Sequence, residues 1–210
     1  MKALCTAVIG ILGLLVSACV TGDEITSYVF EPDGTVSFSI YRSSLASDQT
    51  GEAEKKDLDS YIQKLEEKQD DLFAKLAKAN AKEVKVAVLR RNSPASILIT
   101  GQIPTLTDFV SYLGDESECA PISREHVRGF HCEVSQEPSQ NKNQTQSENA
   151  MPQADSFNQT RFALASGTFT KVQGFLPAKD KRSAILDMET LMNSQTSTSF
   201  VLEWNIPETP

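Results

Sequence analysis

The sequence predicts an α+β fold, a two-layer sandwich in which a largely antiparallel sheet packs against one long helix and two shorter helices. Three observations support this prediction. Segments that alternate apolar and polar residues occur in groups, and a turn signature separates the first two. One long run, 53–81, is rich in helix-forming residues and contains neither proline nor glycine. Two shorter helices are predicted, one at 104–113, which Pro104 and Thr105 open and Gly114 caps, and one at 182–193, which contains several apolar side chains.

The first element is a predicted β-hairpin. Residues 25–31 (ITSYVFE) and 35–42 (TVSFSIYR) alternate in the manner of strands that have one buried face. Between them lies the turn 32–34 (PDG), in which proline suits the first central position and glycine suits a left-handed position. The buried face of the second strand would consist of Val36, Phe38 and Ile40.

The long helix, 53–81, is expected to pack on the sheet. Apolar side chains recur along it at spacings of three and four, with Gln69 in the middle. The stripe comprises Leu58, Ile62, Leu65, Leu72, Leu76 and Ala79. A partner helix in a coiled coil is the alternative. The width of the stripe, to which Tyr61 and Phe73 add, favours packing on a sheet.

The remaining elements follow from the same criteria. We predict strands at 84–89, 96–100, 128–135, 160–175 and 198–206, the second of them central and the fourth bent at Gly167 and Gly174. Residues 136–159 consist of Gln, Asn, Ser, Glu and Pro with almost no apolar side chain. Such a segment cannot bury enough surface to offset its ordering entropy. We therefore expect one domain, 25–210, that carries a mobile polar insertion at 136–159.

The charge balance argues against nucleic acid as a partner. The 210 residues carry 20 Lys and Arg against 28 Asp and Glu, a formal net charge of -8. An acidic chain without a basic cluster is a poor electrostatic match to phosphates. Arg90-Arg91 and the segment 179–182 are small basic patches. We expect them to be solvated turns, and contact with lipid headgroups is the alternative.

The N-terminus has the pattern of a signal peptide spanning residues 1–18. Lys2 precedes an apolar run, 3–16, and small residues follow that run. The segment 15–19 (LVSAC) resembles the lipobox of bacterial lipoproteins at every position. That resemblance implies cleavage between Ala18 and Cys19 and acylation of Cys19, so that membrane lipid is a partner through this anchor.

Two alternatives to a lipoprotein signal are an uncleaved transmembrane anchor and a cleaved, freely secreted protein. Gly10, Gly13 and Ser17 suit a cleavage region better than a membrane span. In the lipoprotein interpretation, residues 19–24 form a lipidated tether. Because Val20 rather than aspartate follows the cysteine, the resemblance implies the outer membrane of the bacterial envelope.

Cys119 and Cys132 remain as a pair once Cys5 leaves with the signal peptide and Cys19 is acylated. In an exported protein such a pair indicates a disulfide. Free thiols are one alternative, and a zinc site completed by His126 and His131 is another. The adjacent positions of His131 and Cys132 argue against zinc, because neighbouring strand residues point to opposite sides. We expect no metal and no cofactor.

The sequence contains no catalytic motif, and we therefore predict no catalytic residue. The leading hypothesis is therefore a membrane-anchored envelope lipoprotein that acts as a non-enzymatic binding or structural module for another envelope protein or a small ligand. The alternative is a lipid-anchored hydrolase whose carboxylates come from scattered positions.

Overall fold

A computed structural model describes residues 20–114, 118–134, 157–186 and 198–206. Eleven strands and three helices lie in these ranges. The strands are β1 (Val20–Phe30), β2 (Val36–Ser47), β3 (Lys82–Arg90), β4 (Ala95–Ile103), β5 (Glu118–Arg124), β6 (Val127–Val134), β7 (Asn158–Leu164), β8 (Phe169–Gln173), β9 (Phe175–Pro177), β10 (Ser183–Leu186) and β11 (Thr198–Asn205). The helices are α1 (Glu52–Glu66), α2 (Asp71–Lys78) and α3 (Leu106–Leu113).

The predicted hairpin is confirmed. β1 and β2 pair antiparallel from Phe30↔Val36 outward to Val20↔Ser47. At the turn, the Gly34 N–H donates to the Glu31 carbonyl over 3.0 Å, and Gly34 adopts a φ of 91°. A left-handed residue at this point costs glycine little, because glycine has no Cβ to collide with its own carbonyl. The turn at 32–34 therefore forms as the sequence predicts.

Two sheets, rather than one, form the framework. The larger has seven strands in the order β3-β4-β2-β1-β7-β10-β9, so the first strand lies at its centre. Its strands pair antiparallel except β1 and β7, which run parallel. The smaller sheet has four strands in the order β5-β6-β11-β8. The part of the chain that the structure describes is thus mainly β, and the predicted single sheet with one long and two short helices is wrong.

The error at 160–175 has a local cause. This segment is three strands, β7, β8 and β9, with breaks at Gly167 and Gly174, whose φ values are 81° and 75°. The two outer pieces belong to the larger sheet and the middle piece to the smaller one. The helix expected at 182–193 begins instead as strand β10, and residues 187–193 lie outside the described ranges.

The long helix predicted at 53–81 is two helices, α1 and α2. Lys68 ends the first in a left-handed conformation, φ 57°, and the Gln69 N–H donates to the Lys64 carbonyl over 2.8 Å. This is the hydrogen-bond pattern of a Schellman C-cap. Asp70 then caps the second helix, because its carboxylate accepts from the Leu72 N–H over 2.9 Å. The break changes the direction of the apolar stripe: Leu65 before it and Leu76 after it are buried, whereas Leu72 is only partly buried.

The core lies between the inner face of the seven-stranded sheet and a mixed second layer. In the second layer, α1 packs against β1, β2 and β3, and α2 packs against α3. The aromatic rings of α3 and of the smaller sheet contact those of β1 and β7. Aromatic rings fill the junction, and Phe109 of α3 is fully buried among them. Its ring centroid lies 4.9 Å from that of Tyr28, 5.4 Å from that of Phe30 and 5.8 Å from that of Phe130. These contacts join α3 to both sheets.

Two of the predicted segment boundaries differ from those in the structure. Residues 20–24, which we expected as a tether, are the start of β1. Asn158 and Gln159, expected at the end of the insertion, belong to β7, and residues 136–156 lie outside the described ranges. The predicted signal peptide, 1–18, also lies outside them. No helix in the described ranges has the length and apolar character needed to cross a bilayer.

Candidate functional site

A cleft of about 290 Å³ opens where the two sheets meet, at the β1–β2 turn. Three parts of the fold surround it: the hairpin turn, the junction of β4 with α3, and the ends of β6 and β11. The residues that line it include Phe30, Asp33, Thr105, Leu106, Arg128 and Trp204. The volume is just below the range that is typical of sites for small molecules.

The floor of the cleft is aromatic. Phe30 ends β1 and Trp204 lies near the end of β11, and their ring centroids are 4.5 Å apart at an interplanar angle of 30°. Only 3% of Phe30 and 8% of Trp204 is exposed, so the rings are held rigidly by the core beneath them. Phe169 supports the Trp204 ring from the side with an edge contact at 6.1 Å. A fixed aromatic floor of this kind provides apolar contact at little cost in side-chain entropy.

The rim is polar. The Asp33 carboxylate accepts from the Thr35 N–H at 3.0 Å and from the Thr35 hydroxyl at 2.8 Å. These hydrogen bonds lower the pKa of Asp33, which therefore stays ionised. Across the cleft, Arg128 donates to the Ser123 hydroxyl and to the Arg124 carbonyl, which fixes its guanidinium in place. A ligand in the cleft would meet an anion on one side and a cation on the other.

A second polar cluster lies toward the other end of β1. The Arg42 guanidinium pairs with Glu24 at 2.8 Å and donates to the Tyr61 hydroxyl at 2.8 Å. Burial raises the pKa of Tyr61, and the neighbouring Arg42 charge opposes that rise. Because each group in this cluster has a partner within the protein, its role is to fasten α1 to the sheet.

The Cys119–Cys132 disulfide is present. The two residues are register partners on β5 and β6, so the bond closes the hairpin that these strands form. In the chain-entropy model, a loop of this length contributes about 3 kcal/mol to stability. The disulfide braces the smaller sheet, two of whose strands carry cleft residues.

The two histidines of the zinc alternative do not form a site with the cysteines. His131 lies on β6 with its Nε2 2.9 Å from the Ser199 hydroxyl, and His126 lies in the β5–β6 turn with its imidazole mostly exposed. Across the described stretches of the chain, no group of three or more His, Cys, Asp or Glu side chains could hold a metal ion. The zinc alternative therefore has no geometric support in these stretches. The predicted cleavage and acylation site, Ala18 and Cys19, lies outside them.

The sequence did not identify the cleft. Its residues come from segments far apart along the chain, and only the sheet topology brings Phe30, Thr105, Arg128 and Trp204 together. One signal was available, since Trp204 is the sole tryptophan of the chain. The hairpin turn 32–34 was predicted, but nothing local indicated that it forms a rim.

Comparisons with known proteins show little. No family model matches the chain, and no curated protein sequence matches it. A solved structure with some overall likeness is the NMR structure of the folded domain of the Mycobacterium tuberculosis LppM protein, with 10% identity and a TM-score of 0.44. The alignment covers 88% of this chain and 91% of that one. A likeness this weak transfers neither an activity nor a partner.

Proposed function

We propose that the chain is a bacterial envelope lipoprotein, held on a membrane by acylated Cys19, whose domain is a non-enzymatic binding module. One observation carries the proposal: the lipobox-like segment 15–19 is followed directly by β1 at Val20. Cleavage before Cys19 would remove the apolar leader and leave every described element intact. Because Val20 and not aspartate follows the cysteine, we place the protein on the outer membrane.

Acylation is tested by metabolic labelling of the full chain with an alkyne-tagged fatty acid. We expect the tag on the wild type and none on Cys19→Ser. Cys5→Ser is the matched control, because it removes a cysteine of the same leader outside the lipobox, and it should label like the wild type. Equal labelling of Cys19→Ser and wild type would disprove the anchor.

The cleft supports the binding part of the proposal. A rigid aromatic floor with an ionised Asp33 on one rim and a fixed Arg128 on the other suits a small amphipathic ligand or a short segment of another envelope component. The cleft lies at the far end of β1 from Val20, a distance of roughly 33 Å at 3.3 Å per residue. An occupant of the cleft would thus lie well away from the point of anchoring.

Photocrosslinking in intact cells tests whether the cleft is occupied. A benzophenone amino acid in place of Pro32, an exposed residue on the rim, should give a discrete adduct. The same residue in place of Lys78, exposed on α2 outside the cleft, should give none. Identical patterns from both positions, or no adduct from either, would contradict a role for the cleft.

The hydrolase alternative finds less support in this geometry. Glu31 and Asp33 both line the cleft, but the Glu31 carboxylate accepts a hydrogen bond from the Ser37 hydroxyl, which lies on the side of the sheet away from the core. A glycosidase of the common type needs one carboxyl with a raised pKa as proton donor. The Thr35 hydrogen bonds instead lower the pKa of Asp33. We therefore assign Asp33 to ligand binding and not to acid catalysis.

A further inference from the structure

The outer face of the seven-stranded sheet, called here the open face, carries apolar side chains that no part of the core within the described ranges covers. The ladder places Ile25 opposite Tyr41, Tyr41 opposite Leu98, and Ile185 opposite Leu176. These residues alternate with core residues along the same strands, and none of them belongs to the hydrophobic core. Leu176 is 57% exposed and Leu89, on β3, is 58% exposed. The helices and the smaller sheet pack on the opposite side.

The charge of the open face differs in sign from that of the chain. The chain has a net charge of -8. The register nevertheless places four cations on this face, each exposed: Lys82, Lys85, Arg90 and Arg161. Two carboxylates, those of Asp23 and Glu31, lie near the two ends of β1 on the same face, and a third, that of Glu83, is exposed in the bulge between Lys82 and Lys85. The first two accept hydrogen bonds within the protein, Asp23 from the Phe157 N–H at 2.9 Å and Glu31 from the Ser37 hydroxyl at 3.2 Å.

The point at which the described chain begins adds a geometric constraint. β1 is the central strand of this sheet and starts at Val20, which pairs with Ser47. Cys19 is the preceding residue, so its Cα lies about 3.8 Å from a residue that is already part of the sheet. Acyl chains on Cys19 would leave the domain at one end of the central strand, with no spacer before the sheet. That end of the sheet is therefore held close to the bilayer, and the composition of the open face decides which side of the sheet turns toward it.

We propose that the open face lies on the anionic phospholipid surface of the membrane that holds Cys19. This inference rests on the proposed lipid anchor. The exposed leucines and the tyrosine would enter the headgroup boundary, and the four cations would contact lipid phosphates. A face of this composition adds a second membrane-binding signal to the acyl chains and restricts rotation about the anchor.

The test uses the purified full-length mature protein, whose mass reports acylation, in vesicles of phosphatidylcholine and phosphatidylglycerol that contain lipids brominated on their acyl chains. Leu176→Trp places a quenchable fluorophore on the open face, and Leu89→Trp places one on the edge strand β3 of the same sheet, next to Arg90. Ser60→Trp, exposed on α1 on the other side of the sheet, is the matched control. Trp204 adds the same background to all three. We expect the emission added at positions 176 and 89 to fall roughly twofold, and that added at position 60 to stay unchanged.

Two results would overturn the proposal. Equal quenching at all three positions, or at none, would mean that the open face has no preferred contact with lipid. Quenching at position 89 without quenching at 176 would mean that only the Val20 end of the sheet contacts the bilayer. Leu176 lies near the level of Ser27, about 23 Å along β1 from Val20. A protein mass without acyl groups would refute the anchor instead, and so the two failures are distinguishable.

A charge reversal tests the electrostatic part. Lys85→Glu combined with Arg161→Glu, in the Leu176→Trp protein, should abolish most of the quenching in vesicles that contain phosphatidylglycerol. Lys55→Glu combined with Lys56→Glu, which makes the same charge change on α1, should leave it unchanged. If both pairs act alike, net charge and not the open face controls the contact, and the proposal fails.

Discussion

Phe109→Ala is expected to lower the free energy of unfolding by about 3–5 kcal/mol. The side chain is fully buried, and its ring contacts those of Tyr28, Phe30 and Phe130. Tyr28 and Phe30 belong to β1 of the larger sheet and Phe130 belongs to β6 of the smaller one, so the cavity left by truncation cannot collapse without shifting α3 against both sheets. A domain of this size has a stability of roughly 5–15 kcal/mol, so the variant should melt far below the wild type.

Urea unfolding followed by circular dichroism measures the effect of Phe109→Ala. Ser111→Ala is the control on the same helix, because Ser111 is exposed and donates only to the Thr107 carbonyl. It should change the stability by less than about 0.5 kcal/mol. If Phe109→Ala also proved that mild, α3 would not be the element that joins the two sheets.

Local patterning predicted those elements whose cause is local. The hairpin followed from alternation and the turn 32–34, and α3 followed from Pro104, Thr105 and Gly114. The structure shows the corresponding physics, since the Thr105 hydroxyl caps α3 by accepting from the Asp108 N–H at 3.0 Å. The strand at 96–100 was expected to be central from its apolar density, and β4 does lie between two neighbours.

The helix break at Lys68 shows why another part of the fold was missed. A left-handed residue at a helix end is usually glycine, and the sequence has lysine there. Asp70 is an ordinary N-cap residue, but inside a run of helix formers it looks like one more solvated charge. Gln69, the polar residue in the apolar stripe, was the remaining signal. Only tertiary packing, which buries both halves of the stripe, decides in favour of two helices.

The second sheet and the cleft were missed for a different reason. Assigning β8 to one sheet and β7 and β9 to the other depends on pairing over long sequence separations. Alternation reports that a strand has a buried face, but it does not report which strand lies beside it. The cleft could not be predicted for the same reason, because Phe30 and Trp204 are neighbours only once both sheets have formed.

Leu65→Ala is expected to lower the free energy of unfolding by about 2–5 kcal/mol, and Leu72→Ala by only about 1 kcal/mol. In the sequence the two leucines occupy equivalent positions of one stripe, but Leu65 is fully buried at the end of α1, whereas Leu72 is only partly buried at the start of α2. Thermal melting of the full mature chain measures both changes. If instead Leu65→Ala were silent, the stripe would not be packed against the sheet and would be better explained as a surface for a partner helix. Equal losses from the two variants would contradict the difference in burial between Leu65 and Leu72.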